Sequence, residues 1–124
     1  MSSVKKITGC TDVLDPAEPM LSLPDVAELI DVPVTHVHAL LQERKIIAVE
    51  RDGGVRVPAR MFTDEGVQRF LPGVIALLHD GGYTPEETLT YLFSEDESLP
   101  GRPIDALHGH LAREVRRRAQ AMAL

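Results

Sequence analysis

"LPDVAELIDVPVTHVHALLQERKIIAVERDGGVRVP", residues 23–58, is the stretch on which the fold turns. Pro24 suits the first position of a helix, where its missing N–H costs nothing. Val26, Ala27, Leu29 and Ile30 follow at helical spacing. Asp31-Val32-Pro33 stops that helix, because the residue before a proline is pushed out of helical backbone, and Pro33 can open the next. Val37, Leu40 and Leu41 then line the buried side of a second helix, expected over 34–43. Two short helices joined by a three-residue turn make a helix-turn-helix. Ala27 is small where the helices cross, and Val32 is an apolar plug for the junction. Asp31 stands where such turns commonly carry glycine; it tolerates left-handed backbone better than most residues.

Burying Val37, Leu40 and Leu41 fixes what the second helix shows to solvent: Thr35, His36, His38, Ala39 and Gln42. These groups are short or polar, of the kind that reaches base edges in a major groove, and Gln42 matches adenine. Arg44 and Lys45 at the helix end suit phosphates, with Glu43 an unhelpful neighbour. The runs "IIAVE" (46–50) and "VRVP" (55–58) are short and β-branched around Asp52-Gly53-Gly54, which reads as a tight hairpin. An Asp52-Gly53 turn would pair Glu50 with Val55 and Ala48 with Val57. Arg51 and Arg56 would then sit near the tip, on the opposite face. A basic ribbon after such a helix is expected to act as a wing over 46–58, gripping backbone or minor groove, with Arg60 adding a contact.

The rest of the 124 residues frames this unit. Residues 1–20 read as a flexible tail, with Val13–Met20 able to lie against the body; residues 21–60 read as the winged helix-turn-helix; residues 61–124 as helices packed on it. Thr63 is an expected N-cap, Pro72 opens "PGVIALLHDGG", Thr84-Pro85-Glu86-Glu87 starts another helix, and 94–103 is a loop by composition. Ile104, Leu107, Leu111, Val115, Ala119 and Met122 form one stripe, expected on a long terminal helix. The fold class is therefore mainly α: a winged helix-turn-helix with a short β-hairpin wing, followed by a C-terminal helical bundle.

Composition bounds the function. One cysteine, Cys10, allows no internal disulfide and fits a reducing cytoplasm. No signal-peptide pattern or membrane-spanning run is present in the sequence. Net charge is −6, unevenly spread: two basic and three acidic residues in 1–22, five and six in 23–60, one and eight in 61–101, five and two in 102–124. The acidity thus sits in one stretch and leaves the helix-turn-helix near neutral.

Together with "DVLDPAEP", "LPGVIALLHDGGY" and "RPIDALHGHLAREVRRRAQAMAL", the opening stretch resembles a known family. The helix-turn-helix and wing are similar to those of excisionase-like and MerR-like DNA-binding proteins. The chain more closely resembles the actinobacterial winged-helix DNA-binding proteins reported as Ser/Thr protein kinase substrates, the carrying stretches covering most of residues 12–124. The resemblance implies a cytoplasmic protein that binds double-stranded DNA, regulates transcription and meets a Ser/Thr kinase. Thr8 and Thr11 are the candidate phosphoacceptors in the tail, where a phosphate would repel a DNA-facing surface.

Nothing points to catalysis. His36 and His38, like His108 and His110, are i, i+2 pairs that diverge on a helix and cannot share a metal. No phosphate-binding glycine loop occurs, so neither enzyme activity, cofactor nor metal is expected. The competing reading is a protein-interaction or phospho-signalling adaptor module on the same scaffold. The acidic 61–101 stretch would serve it as a partner surface, and the terminal stripe would allow a homodimer.

Overall fold

The computed structural model describes residues 9–124. Helix α1 (Leu23–Leu29) starts where Ser22 accepts a hydrogen bond from the Asp25 N–H, with Pro24 in its first turn. It ends in a Schellman motif: the Val32 N–H reaches the Ala27 carbonyl (3.0 Å) and the Asp31 N–H the Glu28 carbonyl (3.4 Å). Asp31 takes the left-handed position, φ 57°, as its place in the turn requires. Helix α2 (Val34–Gln42) follows from Pro33 and ends the same way, with Arg44 left-handed at φ 57° and the Lys45 N–H on the Leu40 carbonyl (2.9 Å). Val26, Val37 and Leu40 are buried where the two helices meet.

The wing is strands β2 (Val49–Arg51) and β3 (Gly54–Pro58), paired Glu50 with Val55 and Arg51 with Gly54. Asp52 (φ 54°) and Gly53 (φ 76°) close it as a type I′ turn, the form whose twist suits a two-residue hairpin. The ladder begins at Val49 rather than Ala48; residues 46–48 are a buried lead-in to it.

A third strand was not anticipated. Strand β1 (Met20–Ser22) pairs antiparallel with β3, giving the order β1-β3-β2. At the other edge, Cys10 bridges Val49, its N–H on the Ala48 carbonyl (2.9 Å) and its carbonyl on the Glu50 N–H (3.0 Å). Residues 11–19 therefore arch across the wing from one edge to the other. Only Gly9 fits where the arch begins, since an added Cβ would lie 2.3 Å from the Val49 carbonyl carbon. The expected loose tail is thus corrected for residues 9–20: Cys10 and Met20 join the sheet at its two edges, and the arch between them lies against the body.

The C-terminal part comprises helices α3 (Leu71–Asp80), α4 (Pro85–Phe93), α5 (Pro103–Leu107) and α6 (Ala112–Met122). Helix α4 opens with the full capping box of Thr84 and Glu87. Two expectations fail here. Thr63 caps no helix: it lies in a small hairpin, β4 (Phe62–Thr63) with β5 (Gly66–Val67). The terminal stripe is not one helix but two, broken over 108–111. Gln68, 5% exposed, joins these pieces: its Oε1 accepts from the Phe70 and Leu71 N–H groups, and its Nε2 donates to the Leu107 carbonyl (2.6 Å). Val26, Val37 and Val57 share one apolar core with Leu78, Leu89, Ile104 and Val115, so the two halves bury a common interior.

Candidate nucleic-acid interface

The outward face of α2 presents Thr35, His36 and Gln42 exposed, with His38 and Ala39 half-buried along its margin. Val34, 37% exposed, heads the row. The segregation follows from period: Val37 and Leu40 are buried, and the residues between them turn outward. Leu41, expected inward, is half-buried.

The cations divide sharply. Arg44 is exposed just past α2 and carries no ion pair among the described residues. Lys45 is exposed and pairs with Glu43 (3.2 Å), a contact too solvated to hold it firmly. Arg56 is half-buried on β3, its Nη1 donating only to the adjacent Val55 carbonyl (3.0 Å).

Arg51 departs from the expected role. Its side chain, 14% exposed, enters the arch. Nε donates to Asp12 Oδ2 (2.6 Å) and Nη2 to Asp12 Oδ1 (3.3 Å). Nη1 and Nη2 further reach the carbonyls of Pro16 (3.3 Å), Glu18 (3.2 Å) and Asp15 (3.0 Å). The Arg51 hydrogen bond draws the Asp12 carboxyl below its usual range. Arg51 and Arg56 do share a face of the ribbon, but the arch has claimed Arg51 as an internal clamp.

Arg60 is likewise committed. It pairs with Asp105 (2.7 Å), which also holds Arg102 Nε (2.8 Å), and Arg102 reaches back to Glu18. Hydrogen bonding from Arg102 lowers the Asp105 carboxyl to about 2. His108 Nε2 donates to the Arg60 carbonyl (2.6 Å), and the Arg102 guanidinium lies over the Phe93 ring at 5.2 Å. The network ties arch, wing base and α5 together.

Of the candidate phosphoacceptors, Thr8 lies outside the described residues. Thr11 is exposed on the arch, and its N–H donates to the Glu86 carboxylate (3.1 Å). Among the described residues no group of three His, Cys, Asp or Glu side chains is placed to hold a metal ion, and no helix is long and apolar enough to cross a membrane.

Comparison with known proteins gives consistent matches over both halves. Residues 6–62 match the family described as "DNA-binding protein Rv2175c, wHTH domain", and residues 68–123 match "Rv2175c C-terminal domain of unknown function". The protein named "DNA-binding protein Rv2175c" of Mycobacterium tuberculosis is 48% identical over 136 residues, covering 99% of this chain and 93% of that one. The solved "NMR structure of Rv2175c" superposes with a TM-score of 0.85 at 48% identity, covering 98% of this chain and 92% of that one. A left-handed turn residue, a I′ wing and an exposed polar row on α2 are the features of a winged helix-turn-helix, and with these matches the chain belongs to the Rv2175c family.

Proposed function

We propose that the protein is a transcriptional regulator that binds double-stranded DNA in the cytoplasm. Helix α2 enters the major groove. Thr35, His36 and Gln42 meet base edges, His38 lies at the margin, and Arg44, Lys45 and Arg56 neutralise backbone phosphates. The observation that carries this reading is the juxtaposition of an exposed polar row on α2 with an adjoining I′ hairpin bearing a carboxylate-free arginine. The printed name of the Mycobacterium tuberculosis relative supports it.

Duplex titration across salt concentrations tests it. Arg56→Ala should weaken all duplexes alike and flatten the slope of log K against log salt by about 0.9. Thr35→Ala and Gln42→Ala should instead change sequence preference, by about 1–3 kcal/mol at one base pair. An Arg56→Ala protein with the parent's slope refutes the wing contact. Binding that follows a protein partner and ignores duplex would favour the adaptor reading, which the eight acidic residues of 61–101 support.

Regulation by a Ser/Thr kinase belongs to the same proposal, with Thr8 and Thr11 as acceptors. A phosphate on Thr11 adds about −1.5 to −2 charge beside Asp12 and Glu86. Repulsion there loosens the arch, and the added charge opposes duplex approach. Mapping the modified residue and repeating the titration decides the matter; unchanged affinity after modification rejects the switch.

A further inference from the structure

A cavity of about 430 Å³ opens where four parts of the chain meet, one of them the start of the arch at Cys10. The end of α2 and the turn after it supply Leu41 and Arg44, the lead-in to the wing Ile47 and Ala48, and the C-terminal helices Ile75 and His79. Its volume falls within the roughly 300–1,000 Å³ of small-ligand sites, and apolar walls with a few polar groups are their usual makeup.

Its electrostatics select a ligand class. Among the described residues, no aspartate or glutamate lines the cavity. The nearby Glu86 carboxylate accepts the Thr11 N–H and is thereby turned to the arch. Cys10, also in the wall, keeps its proton: burial first, and the Glu86 charge second, push the thiol up to about 11. The cationic group at the wall is Arg44, whose backbone the Schellman bonds of α2 hold in place while its guanidinium carries no ion pair among the described residues. His79 is a second donor on the same wall.

We infer that this cavity binds a small apolar monoanion, a carboxylate on a short hydrocarbon body, with the hydrocarbon against Ile47 and Ile75 and the carboxylate on Arg44 and His79. The site goes beyond the DNA reading and does not depend on it. Arg44 ends the helix proposed to enter the groove, so anion and duplex would draw on one guanidinium, but the site is tested without DNA.

Sodium octanoate is the probe, titrated into the full chain and followed by methyl NMR. Saturable shifts are expected at Leu41, Ile47, Ala48 and Ile75. Arg44→Gln and His79→Gln are both solvent-facing changes that leave the core intact. Loss of affinity in either, expected at about tenfold for Arg44→Gln, supports recognition of charge. The uncharged 1-octanol should bind the parent about tenfold more weakly than octanoate and be insensitive to Arg44→Gln. The proposal is overturned if the full chain shows no saturable shift in the millimolar range, or if the shifts map to another surface. It is equally overturned if octanol matches octanoate, or if both variants bind octanoate like the parent.

Discussion

Replacing Arg51 with methionine separates a clamp from a DNA contact. Methionine keeps an unbranched apolar stem but deletes all five hydrogen bonds the guanidinium makes, two to Asp12 and three to arch carbonyls. Breaking a well-buried pair costs about 3–5 kcal/mol, and an exposed pair below about 1. With Arg51 at 14% and Asp12 at 21% exposure, and the Pro16 and Asp15 carbonyls able to take water instead, the loss lies between, about 2.5 kcal/mol. For 124 residues at about 2.1 cal/mol/K each, that lowers Tm by about 10 °C. Calorimetry reads this directly, and Asp12→Asn should show a smaller drop in the same direction. Because Arg51 spends its donors inside the chain, the salt slope of duplex binding should stay at the parent's value when measured well below both melting points. A Tm within 2 °C (roughly 0.5 kcal/mol) of the parent, together with a slope flatter by about 0.9, would mean that Arg51 faces phosphate and the clamp reasoning is wrong.

Other expectations test the frame around the site. Asp31→Gly should raise stability by about 0.5 kcal/mol, because glycine relieves the left-handed strain at φ 57° at some cost in unfolded-chain entropy; a lowered Tm would deny that strain. Gln68→Leu should cost about 2–4 kcal/mol in denaturant unfolding, since it strands the Phe70 N–H and the Leu107 carbonyl, while the Leu71 N–H keeps the backbone carbonyl of residue 68 (3.1 Å). The Asp105 carboxyl is depressed in the fold, so its pairing contributes fully above the ordinary 3.8 and is lost as pH falls towards about 2. Discounted for a side chain 35% exposed, the loss is about 1 kcal/mol, and melting curves of Asp105→Asn should lack that portion of the acid decline.

What the sequence disclosed was governed by range. The helix-turn-helix rests on signals within a few residues: two prolines, a 3.6-residue apolar period and a left-handed aspartate. The hairpin rests on Asp52-Gly53, equally local. Strand β1 is only three residues long, and its partners Pro58, Val57 and Arg56 are remote in sequence, so neither length nor alternation marks it. Arg51 misled for the same reason: nothing near position 51 reveals that Asp12 takes it. Thr63 misled differently. Its hydroxyl accepts from the Glu65 N–H (3.2 Å), a bond that a turn and a helix cap share, and Gly66 at φ 134° diverts the chain into a hairpin. The terminal stripe kept its spacing through a break because Leu107 before it and Leu111 at its end both pack on the core; Gly109 within it was the only local sign.

The same sorting of arginines bears on how a chain of net charge −6 could hold DNA. Arg51, Arg60, Arg102, Arg117 and Arg118 each sit on a carboxylate. Among the described residues, this leaves Arg44 and Arg56 at the α2 and wing surface, with Lys45 only loosely held by Glu43. Three phosphates neutralised correspond to a salt slope of about −2.7, against the 6–10 contacts of strongly electrostatic binders. Counterion release, which recognises no sequence, is therefore a small share of any affinity here, and the acidic 61–101 stretch subtracts from it. A duplex without matching bases has little to offer this surface. On the proposed reading, the remaining affinity would come from Thr35, His36 and Gln42 at base edges and from groove shape, and sparse charge would then go with high selectivity.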